Sequence, residues 1–285
     1  MKKILIFGAY GMAGHMVSQY LKTKDDYQIT DICHNRRLDN NSILMDIRDI
    51  ELVKELIIKQ SPSIIINCIG ILPNKADQKP KDAIFINSYF PRFLEDFADY
   101  RDIKIIHLST DCVFSGRNGQ YREDSLRDGQ GVYARTKSLG EIKNNRDLTI
   151  RTSIIGPELK DDGLGLFDWF MKQDSQIGGY NRVIWTGVTT LQLAQSIAQL
   201  IKDDVTGLYH LVPEDSITKY ELLNIINKVF NKGINIKKKA DPVSDKSLIN
   251  TRTDYEANIP DYENMIRELR EFMVCRRNYY DKYLN

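Results

Sequence analysis

Three tyrosine and lysine pairs in the sequence have the spacing Tyr-x-x-x-Lys, which on a helix places a phenol and an ammonium one turn apart. In chain order they are Tyr20 and Lys24, Tyr100 and Lys104, and Tyr133 and Lys137. Such a pair can move a proton, because the ammonium favours the phenolate and lowers the phenol pKa from its ordinary value of about 10. A chain with 15 tyrosines and 40 lysines and arginines also produces this spacing by chance. Position in the fold must therefore select among the three pairs.

Position in the sequence favours the pair that begins at Tyr133. This tyrosine stands near the start of the predicted helix VYARTKSLGEIK, downstream of the stretch HLSTDCVFSG that contains Thr110. Thr110 follows an apolar predicted strand, so the strand end and the helix start can converge at one edge of a sheet. Tyr20 lies too far along a predicted helix to reach that edge, and Tyr100 falls in the turn before a strand. We expect Tyr20 and Tyr100 to be surface residues.

The elements that must position these side chains alternate along the first half of the chain, as in βαβ units with a parallel sheet. The predicted strands, continuously apolar as buried parallel strands are, are ILIF, YQITDIC, SIIINCIG, IKIIHLST and LTIRTSIIG. The predicted helices between them carry apolar residues three and four positions apart; they include HMVSQYLK, DIELVKELIIKQ and PRFLEDFADY. The sequence therefore predicts an α/β protein with a doubly wound, parallel, Rossmann-like sheet.

The alternating pattern loosens after the last of these strands. We predict a dinucleotide-binding domain over residues 1–155 and a smaller C-terminal α/β lobe, mainly substrate-binding, over residues 156–285. The segment VIWTGVTTLQLAQSIAQLIKD predicts a strand and a helix that return to the first domain over residues 182–204. Thr218 and Glu221 have the spacing of a capping box before the amphipathic run LLNIINKVF, which predicts the start of a helix.

Composition and charge exclude several classes of protein. The formal net charge of +1 gives no electrostatic reason to expect nucleic acid or an anionic membrane as the partner. No run approaches the roughly 18 apolar residues of a membrane helix, and ILIF is too short for a secretory signal. The four cysteines lie far apart and no histidine stands at metal-ligand spacing, so we expect reduced thiols, a cytoplasmic protein and no metal. The basic end VCRRNYYDKYL predicts a solvated helix end.

Three glycines, Gly8, Gly11 and Gly14, follow the first predicted strand and open the first predicted helix. The chain must reverse sharply there, a pyrophosphate must approach the backbone, and the helix must pack on the strand, and each demand favours a residue without Cβ. The free N–H groups at the helix start then face negative charge. This context predicts a dinucleotide site.

The spacing G-x-x-G-x-x-G resembles that of the extended short-chain dehydrogenase/reductase superfamily, in its nucleotide-sugar-modifying branch. LMDIRD and NCIG fit the same pattern, and the combination of STD, Y-x-E and VYARTKSLGE resembles the dTDP-4-dehydrorhamnose reductases. The resemblance implies a catalytic set of Thr110, Tyr133 and Lys137. It also implies cofactor-binding residues, which are Gly8, Tyr10, Gly11, Met12, Asp46, Ile47, Cys68, Gly70, Tyr133 and Lys137.

The end of the second predicted strand bears on the choice between NAD and NADP. Proteins that bind NAD normally carry an acidic residue at this strand end, where it binds the adenosine ribose. In this sequence Cys33 occupies that position and HNRR follows. Asp31 lies two residues earlier and is expected to point along the strand. Without a carboxylate to repel a 2′-phosphate, and with Arg36 and Arg37 able to bind it, we predict NADPH, with NAD as the alternative.

The resemblance implies a reductase that transfers hydride from NADPH to the C4 ketone of a nucleotide-linked 4-keto-6-deoxyhexose, in polysaccharide biosynthesis. Tyr133 would protonate the developing alkoxide, Lys137 would acidify the phenol and hold the nicotinamide ribose, and Thr110 would hydrogen-bond the same oxygen. The expected partner is a nucleotide sugar, and a homodimer is left open. A reductase or epimerase of a UDP- or GDP-linked sugar, and a non-catalytic regulatory subunit of the same fold, are open alternatives.

Acidic residues of the same pattern are less informative. Asp111, Glu123 and Glu141 match acidic positions of the family, but capping or loop-fixing roles explain them equally well. A 4,6-dehydratase is disfavoured, because Cys112 stands where such enzymes carry Glu after the Thr-Asp pair.

Overall fold

The computed structural model describes residues 1–284, so Asn285, the last residue of the predicted substrate lobe, lies outside the described residues. Its centre is a seven-stranded parallel sheet of order β11-β6-β5-β4-β1-β2-β3. The strands of this sheet are β1 (Lys2–Phe7), β2 (Tyr27–Cys33), β3 (Ile43–Leu44), β4 (Ile64–Asn67), β5 (Lys104–Leu108), β6 (Leu148–Arg151) and β11 (Gly207–His210). The predicted α/β class with a doubly wound parallel sheet is confirmed.

Helices flank this sheet and complete the smaller lobe. They are α1 (Met12–Leu21), α2 (Ile50–Gln60), α3 (Pro73–Gln78), α4 (Pro80–Ala83), α5 (Phe90–Asp99), α6 (Gly131–Gly140), α7 (Leu166–Met171), α8 (Thr190–Lys202), α9 (Lys219–Val229), α10 (Tyr262–Val274) and α11 (Arg277–Tyr280). A π-helical turn over Ile84–Tyr89 leads into α5. Short 3-10 turns cover Asp111–Val113 and Asp281–Tyr283.

Strand β1 shows why helices cover both faces of the sheet. Its residues alternate in direction, so Ile4 and Ile6 enter one buried apolar cluster while Leu5 and Phe7 enter another. The first cluster is covered by α1 and α8, which pack on each other. The second is covered by α2 and α5. The four residues from Ile4 to Phe7 are therefore each buried on one side of the sheet, which produces the continuous apolar run of the sequence.

The order of the strands reverses between β1 and β4, and this is where a doubly wound sheet binds ligands. The carboxyl ends of β1, β2, β4 and β5 all open at one edge. Short loops at that edge carry the residues for which chemistry is predicted.

Three small sheets build the rest of the chain. Their orders are β10-β7, β12-β9-β14 and β13-β8. The strands are β7 (Ile154–Ile155), β8 (Ile177–Tyr180), β9 (Val183–Trp185), β10 (Val188–Thr189), β12 (Ile217–Thr218), β13 (Ile236–Lys239) and β14 (Ser244–Asp245). The chain is interleaved, since α8 returns to pack on α1 and β11 extends the large sheet. The capping box that begins α9 is present, with Thr218 and Glu221 capping each other.

Two expectations about local structure are wrong. The run LTIRTSIIG is two strands, because the backbone carbonyl of Ser153 accepts from the Val188 amide and takes β7 into a separate sheet. The C-terminal tyrosines are also not solvated. Tyr280 and Tyr283 are buried, and the Tyr283 hydroxyl donates to the Asp168 carboxylate at 2.6 Å. Cross-chain partners of this kind leave no local pattern in the sequence.

No helix within residues 1–284 combines the length and the apolar character needed to cross a membrane.

Candidate functional site

The glycine turn after β1 has the tight geometry that its sequence predicts. Gly8 has a φ of +82°, in the left-handed region that favours glycine. A Cβ on Gly14 would lie 2.1 Å from the Gly8 carbonyl oxygen, so α1 packs directly on the turn. A Cβ on Gly11 would meet only that same oxygen, at 3.2 Å, and would otherwise face open space. The turn thus leaves room for a group that approaches the backbone at the start of α1.

A cavity of about 800 Å³ opens at this turn, at the switch point between β1 and β4. Most of the predicted cofactor residues line it: Gly8, Tyr10, Gly11, Arg36, Asp46, Ile47, Cys68 and Gly70. The size and the glycine-lined floor fit an extended dinucleotide. When bound, a nicotinamide dinucleotide supplies the hydride-transfer chemistry that no side chain offers.

Four predicted cofactor residues do not line the cavity: Met12, Arg37, Tyr133 and Lys137. The Arg37 guanidinium donates to the carbonyl of Ser42, and Arg37 does not line the cavity. Met12 begins α1 and its methyl group packs against Gly165, where a Cβ would approach it to 2.7 Å. The predicted pair of arginines is therefore divided, with only Arg36 at the cavity.

Asp31 does not line the cavity, and one oxygen of its carboxylate is already partnered. It is buried and accepts from the Ser18 hydroxyl at 2.9 Å and from the Lys22 ammonium at 2.5 Å. It therefore cannot serve as the acid that recognises an adenosine ribose. Cys33 stands at the strand end, as predicted, and the cavity rim beyond it includes Arg36.

Several basic residues that line the cavity were not predicted from the sequence. They include Arg48, Lys75, Lys79 and Lys160. Arg48 holds Asp46 by a hydrogen bond of 2.5 Å, and this bond lowers the pKa of the Asp46 carboxyl to about 2. Lys75 lies in α3 and Lys79 is the residue between α3 and α4, so no helical period links the two in the sequence. No sequence signal pointed to Lys160, which lines the cavity from the loop between β7 and α7.

The three predicted catalytic residues meet at the carboxyl end of β5. Thr110 is the N-cap of the 3-10 turn that follows this strand, and its hydroxyl interacts with the phenol of Tyr133 on the first turn of α6. Lys137, one helical turn further, is buried and donates to the Leu108 carbonyl at 2.6 Å. Its ammonium also interacts with the Cys68 thiol, which lines the dinucleotide cavity. The trio thus adjoins the cavity without lining it.

The pKa shifts of Tyr133 and Lys137 differ from the expected pattern. Burial raises the pKa of the Tyr133 phenol, and the charges of Cys112 and Asp111 act in the same direction. Burial also lowers the pKa of the Lys137 ammonium to about 8, against the charge of Glu141. The Lys137 ammonium, which donates to the Leu108 carbonyl, is not among the groups that shift the pKa of Tyr133. Only Thr110 favours the phenolate.

The acidic residues Glu141 and Glu123 have structural partners. Glu141 is buried and forms a two-point ion pair with Arg151, at 2.6 and 2.7 Å, and it also accepts from Ser109. Glu123 accepts from the Thr251 hydroxyl at 2.6 Å. Glu141 therefore joins the end of α6 to β6 and to the residue after β5. Glu123 joins the loop before α6 to the segment around Thr251.

The other tyrosine and lysine pairs lie away from this edge. Lys24 lies over the Tyr20 ring, 4.7 Å from its centroid, while Tyr100 is 89% exposed and Lys104 pairs with Asp204. Within the described chain, histidine, cysteine and acidic side chains form no group of three or more that could hold a metal.

A Rossmann-like sheet, a glycine turn at its switch point and a Thr, Tyr and Lys set beside it define an extended short-chain dehydrogenase/reductase. Residues 1–252 match the family model described as the RmlD substrate binding domain. The chain belongs to this family. The predicted class, an NAD(P)-dependent oxidoreductase of the extended type, is confirmed by this membership.

Relatives of known name fall into two groups. The chain is 25% identical over 235 residues to dTDP-4-dehydrorhamnose reductase of Aggregatibacter actinomycetemcomitans, covering 78% of this chain and 76% of the relative. It is also 25% identical over 244 residues to methionine adenosyltransferase 2 subunit beta of Xenopus tropicalis, covering 81% and 72%. Among solved structures, dTDP-4-dehydrorhamnose reductase of Bacillus anthracis in complex with NADP superposes with a TM-score of 0.81 at 20% identity, covering 95% of this chain and 99% of the other.

Proposed function

We propose that this protein transfers hydride from NADPH to the C4 ketone of a nucleotide-linked 4-keto-6-deoxyhexose. The observation that carries the proposal is the convergence of Thr110, Tyr133 and Lys137 beside the dinucleotide cavity. A sheet that only bound a nucleotide would not need a phenol, a hydroxyl and a buried ammonium at that edge.

The side chains can handle the proton that must accompany hydride. As hydride reaches the ketone carbon, negative charge develops on the carbonyl oxygen, and Tyr133 donates its proton there. Burial raises the pKa of Tyr133, so the phenol enters the reaction protonated, as a donor in the reductive direction must. The Thr110 hydroxyl donates to the Asp111 carboxylate at 3.0 Å; in this proposal it rotates to donate to the substrate oxygen and fixes the position of that oxygen.

Lys137 has two tasks in this proposal. Its bond to the Leu108 carbonyl fixes α6 against β5 and so holds Tyr133 at the strand end. Its ammonium interacts electrostatically with Cys68, which lines the cavity, and in this proposal it holds the nicotinamide ribose. Because the ammonium is buried, its positive charge is weakly screened and favours negative charge on nearby oxygens.

Two features support NADPH over NADH. The Asp31 carboxylate does not line the cavity and accepts from Ser18 and Lys22, and the Asp46 carboxylate, which does line it, is paired with Arg48. Arg36 lines the cavity and can bind the 2′-phosphate of NADPH in two-point geometry. The relative from B. anthracis was solved with NADP.

An NADPH-oxidation assay tests the proposal. The purified protein is mixed with NADPH and with dTDP-, UDP- and GDP-linked 4-keto-6-deoxy sugars, and the loss of nicotinamide absorbance is followed. We expect oxidation with at least one dTDP-linked ketone, together with a reduced sugar in the product. Oxidation only with a UDP- or GDP-linked sugar would reassign the nucleotide, and interconversion without net oxidation would indicate an epimerase.

A second candidate is a non-catalytic subunit that binds a dinucleotide and a partner enzyme. It is favoured by the similarity to methionine adenosyltransferase 2 subunit beta over 81% of the chain, and by the orientation of Lys137 toward Leu108 rather than Tyr133. Tight NADPH binding without oxidation of any ketone in the panel would favour this candidate. The homodimer stays a prediction.

A further inference from the structure

One loop on the wall of the dinucleotide cavity comes from the second half of the chain. Residues 156–165 join β7 to α7, and three of them line the cavity: Lys160, Asp161 and Asp162. The Gly165 amide donates to the Glu158 carboxylate at 2.6 Å, which closes the loop across its base. The glycine turn after β1 and this 156–165 loop therefore both border the space for a dinucleotide.

The C-terminal end of the chain is bonded to this part of the protein at two points. The Tyr283 hydroxyl accepts from the Glu158 amide at 3.0 Å and donates to the carboxylate of Asp168, in α7, at 2.6 Å. The Lys282 ammonium donates to the Lys160 carbonyl at 2.7 Å. Because Lys160 lines the cavity, the second bond ties the C-terminal end to the cavity wall itself.

Burial makes the Tyr283 contacts strong. Its side chain is 4% exposed, its ring packs on Phe167 with the centroids 5.3 Å apart, and Asp168 is fully buried. A hydrogen bond to a buried carboxylate is charge-assisted. Loss of the hydroxyl would also take this acceptor from the Glu158 amide, and a buried amide without an acceptor is costly. Tyr283 is therefore expected to determine how firmly the loop is held.

The same C-terminal segment also contacts α1, the helix that follows the glycine turn. The Tyr280 hydroxyl donates to the Gln19 side chain at 3.1 Å, and the centroid of its ring lies 5.8 Å from that of His15. The helix α11 and the 3-10 turn after it thus join α1 to the 156–165 loop. Because Tyr280 is as deeply buried as Tyr283 but bonds α1 instead of the loop, it provides a matched control.

We infer that Tyr283 and Lys282 are positioning residues of the dinucleotide site, because they hold the 156–165 loop where Lys160 lines the cavity. A loop that is already ordered loses little conformational freedom when a ligand binds, so it binds the ligand more tightly than a loose loop does. The inference goes beyond the proposed function, since it requires a bound dinucleotide but no reduction of a ketone.

NADPH affinity, measured by isothermal titration, is the first test. Tyr283→Phe removes one hydroxyl and keeps the ring, and we expect it to weaken NADPH binding about three-fold. A chain that lacks residues 282–285 loses both contacts and should bind NADPH about ten-fold more weakly. Tyr280→Phe should stay within about 1.5-fold of the parent protein. Melting temperatures should fall by similar amounts in the two phenylalanine variants, so a general loss of stability would not produce the difference.

Amide hydrogen exchange then locates the effect. It is measured by mass spectrometry on peptides that cover residues 156–165, with and without NADP⁺. We expect this loop to exchange at least about three-fold faster in Tyr283→Phe and in the shortened chain, because opening of the loop no longer breaks the bonds of the Tyr283 hydroxyl. Tyr280→Phe should exchange there at the parent rate. Bound NADP⁺ should slow exchange of the loop in the parent protein.

Two results would overturn the inference. Loop exchange at the parent rate in both Tyr283→Phe and the shortened chain would show that the C-terminal contacts do not hold the loop. Faster exchange at unchanged NADPH affinity would show that the loop does not position the dinucleotide. If the shortened chain does not fold, Tyr283→Phe alone decides.

The outcome is separable from that of the proposed function, because neither measurement uses a ketone. Weakened NADPH binding by Tyr283→Phe, with no reduction of any ketone by the parent protein, would contradict the reductase and leave this inference standing. Ketone reduction by the parent protein, with unchanged NADPH affinity in Tyr283→Phe, would do the reverse.

Discussion

The Lys137 ammonium donates a hydrogen bond of 2.6 Å to the carbonyl oxygen of Leu108, the last residue of β5. This bond joins the helix that carries Tyr133 to the strand whose extension carries Thr110. It also satisfies a buried ammonium, which would be costly to leave without an acceptor. Lys137 is therefore part of the framework of the site as well as a candidate for its chemistry.

Replacing Lys137, and separately an exposed lysine as a control, tests whether Lys137 contributes to catalysis. We expect Lys137→Met to lower kcat/KM for the ketone by about 100-fold or more, because both the position of Tyr133 and the nearby positive charge change. Steady-state kinetics with NADPH measure this. Lys143→Met, at an exposed lysine just beyond α6, should retain full activity. Equal kcat/KM in both variants would show that Lys137 does not contribute to catalysis.

The two neighbouring arginines after β2 provide a matched pair for cofactor choice. Arg36 lines the cavity, whereas Arg37 donates to the Ser42 carbonyl. Arg36→Leu should weaken NADPH binding by about ten-fold and leave NADH binding nearly unchanged, because only NADPH carries the 2′-phosphate. Arg37→Leu should not alter the ratio of the two affinities. Isothermal titration with both cofactors measures that ratio, and a larger effect from Arg37 would reverse the assignment.

The buried ion pair between Glu141 and Arg151 should matter for stability. Its two-point contact leaves an uncompensated buried guanidinium when the carboxylate is neutralised. We expect Glu141→Gln to lower the free energy of unfolding by about 3–5 kcal/mol. Urea denaturation gives the value, and Glu51→Gln, at a side chain that is 77% exposed, should stay within about 0.5 kcal/mol of the parent. A similar small effect at Glu141 would show that solvent reaches the pair.

Three buried histidines should make the fold sensitive to acid. Burial lowers the pKa of His15 and of His210 to about 4, and it lowers that of His107. Unfolded histidine titrates near 6.5, so between pH of about 4 and 6.5 the unfolded chain binds more protons. The free energy of unfolding should therefore fall as pH decreases through this window, by up to about 1.4 kcal/mol per histidine and pH unit.

Denaturation curves at several pH values measure that slope. His210→Asn should flatten it by removing one titrating group, although its own contacts with Arg151 and Ile249 also change. His34→Asn, at a side chain that is 61% exposed, should leave the slope unchanged. Stability that does not vary between pH 7 and 5 would contradict neutral buried histidines.

Much of the fold and part of the site could be predicted because their signals are local. The strand β1 and its glycine turn form one continuous stretch, and the steric demands at Gly8 and Gly14 act within a few residues. Strands buried on both faces are continuously apolar and easy to recognise. Tyr133 could be selected because helix start and strand end were both visible in the sequence.

What could not be predicted depends on contacts between distant segments. Arg36 and Arg37 are adjacent in sequence, yet Arg36 lines the cavity whereas Arg37 does not and donates to the carbonyl of Ser42. Thr218 and Asp245 lie on either side of Ile184 because two strands of two residues pair with β9, and such short strands carry no usable period. The pKa of Tyr133 depends on burial and on the direction of Lys137, and neither is encoded in the spacing.

The central claim is that Tyr133 donates the proton while NADPH reduces a sugar-nucleotide ketone. Tyr133→Phe removes only the hydroxyl, so it is tested in single-turnover stopped flow with NADPH and the best ketone of the panel. The account predicts NADPH affinity close to that of the parent protein and NADPH oxidation slower by a factor of about 100 or more. Oxidation by Tyr133→Phe at the parent rate, or no oxidation by the NADPH-loaded parent with any ketone, would contradict it.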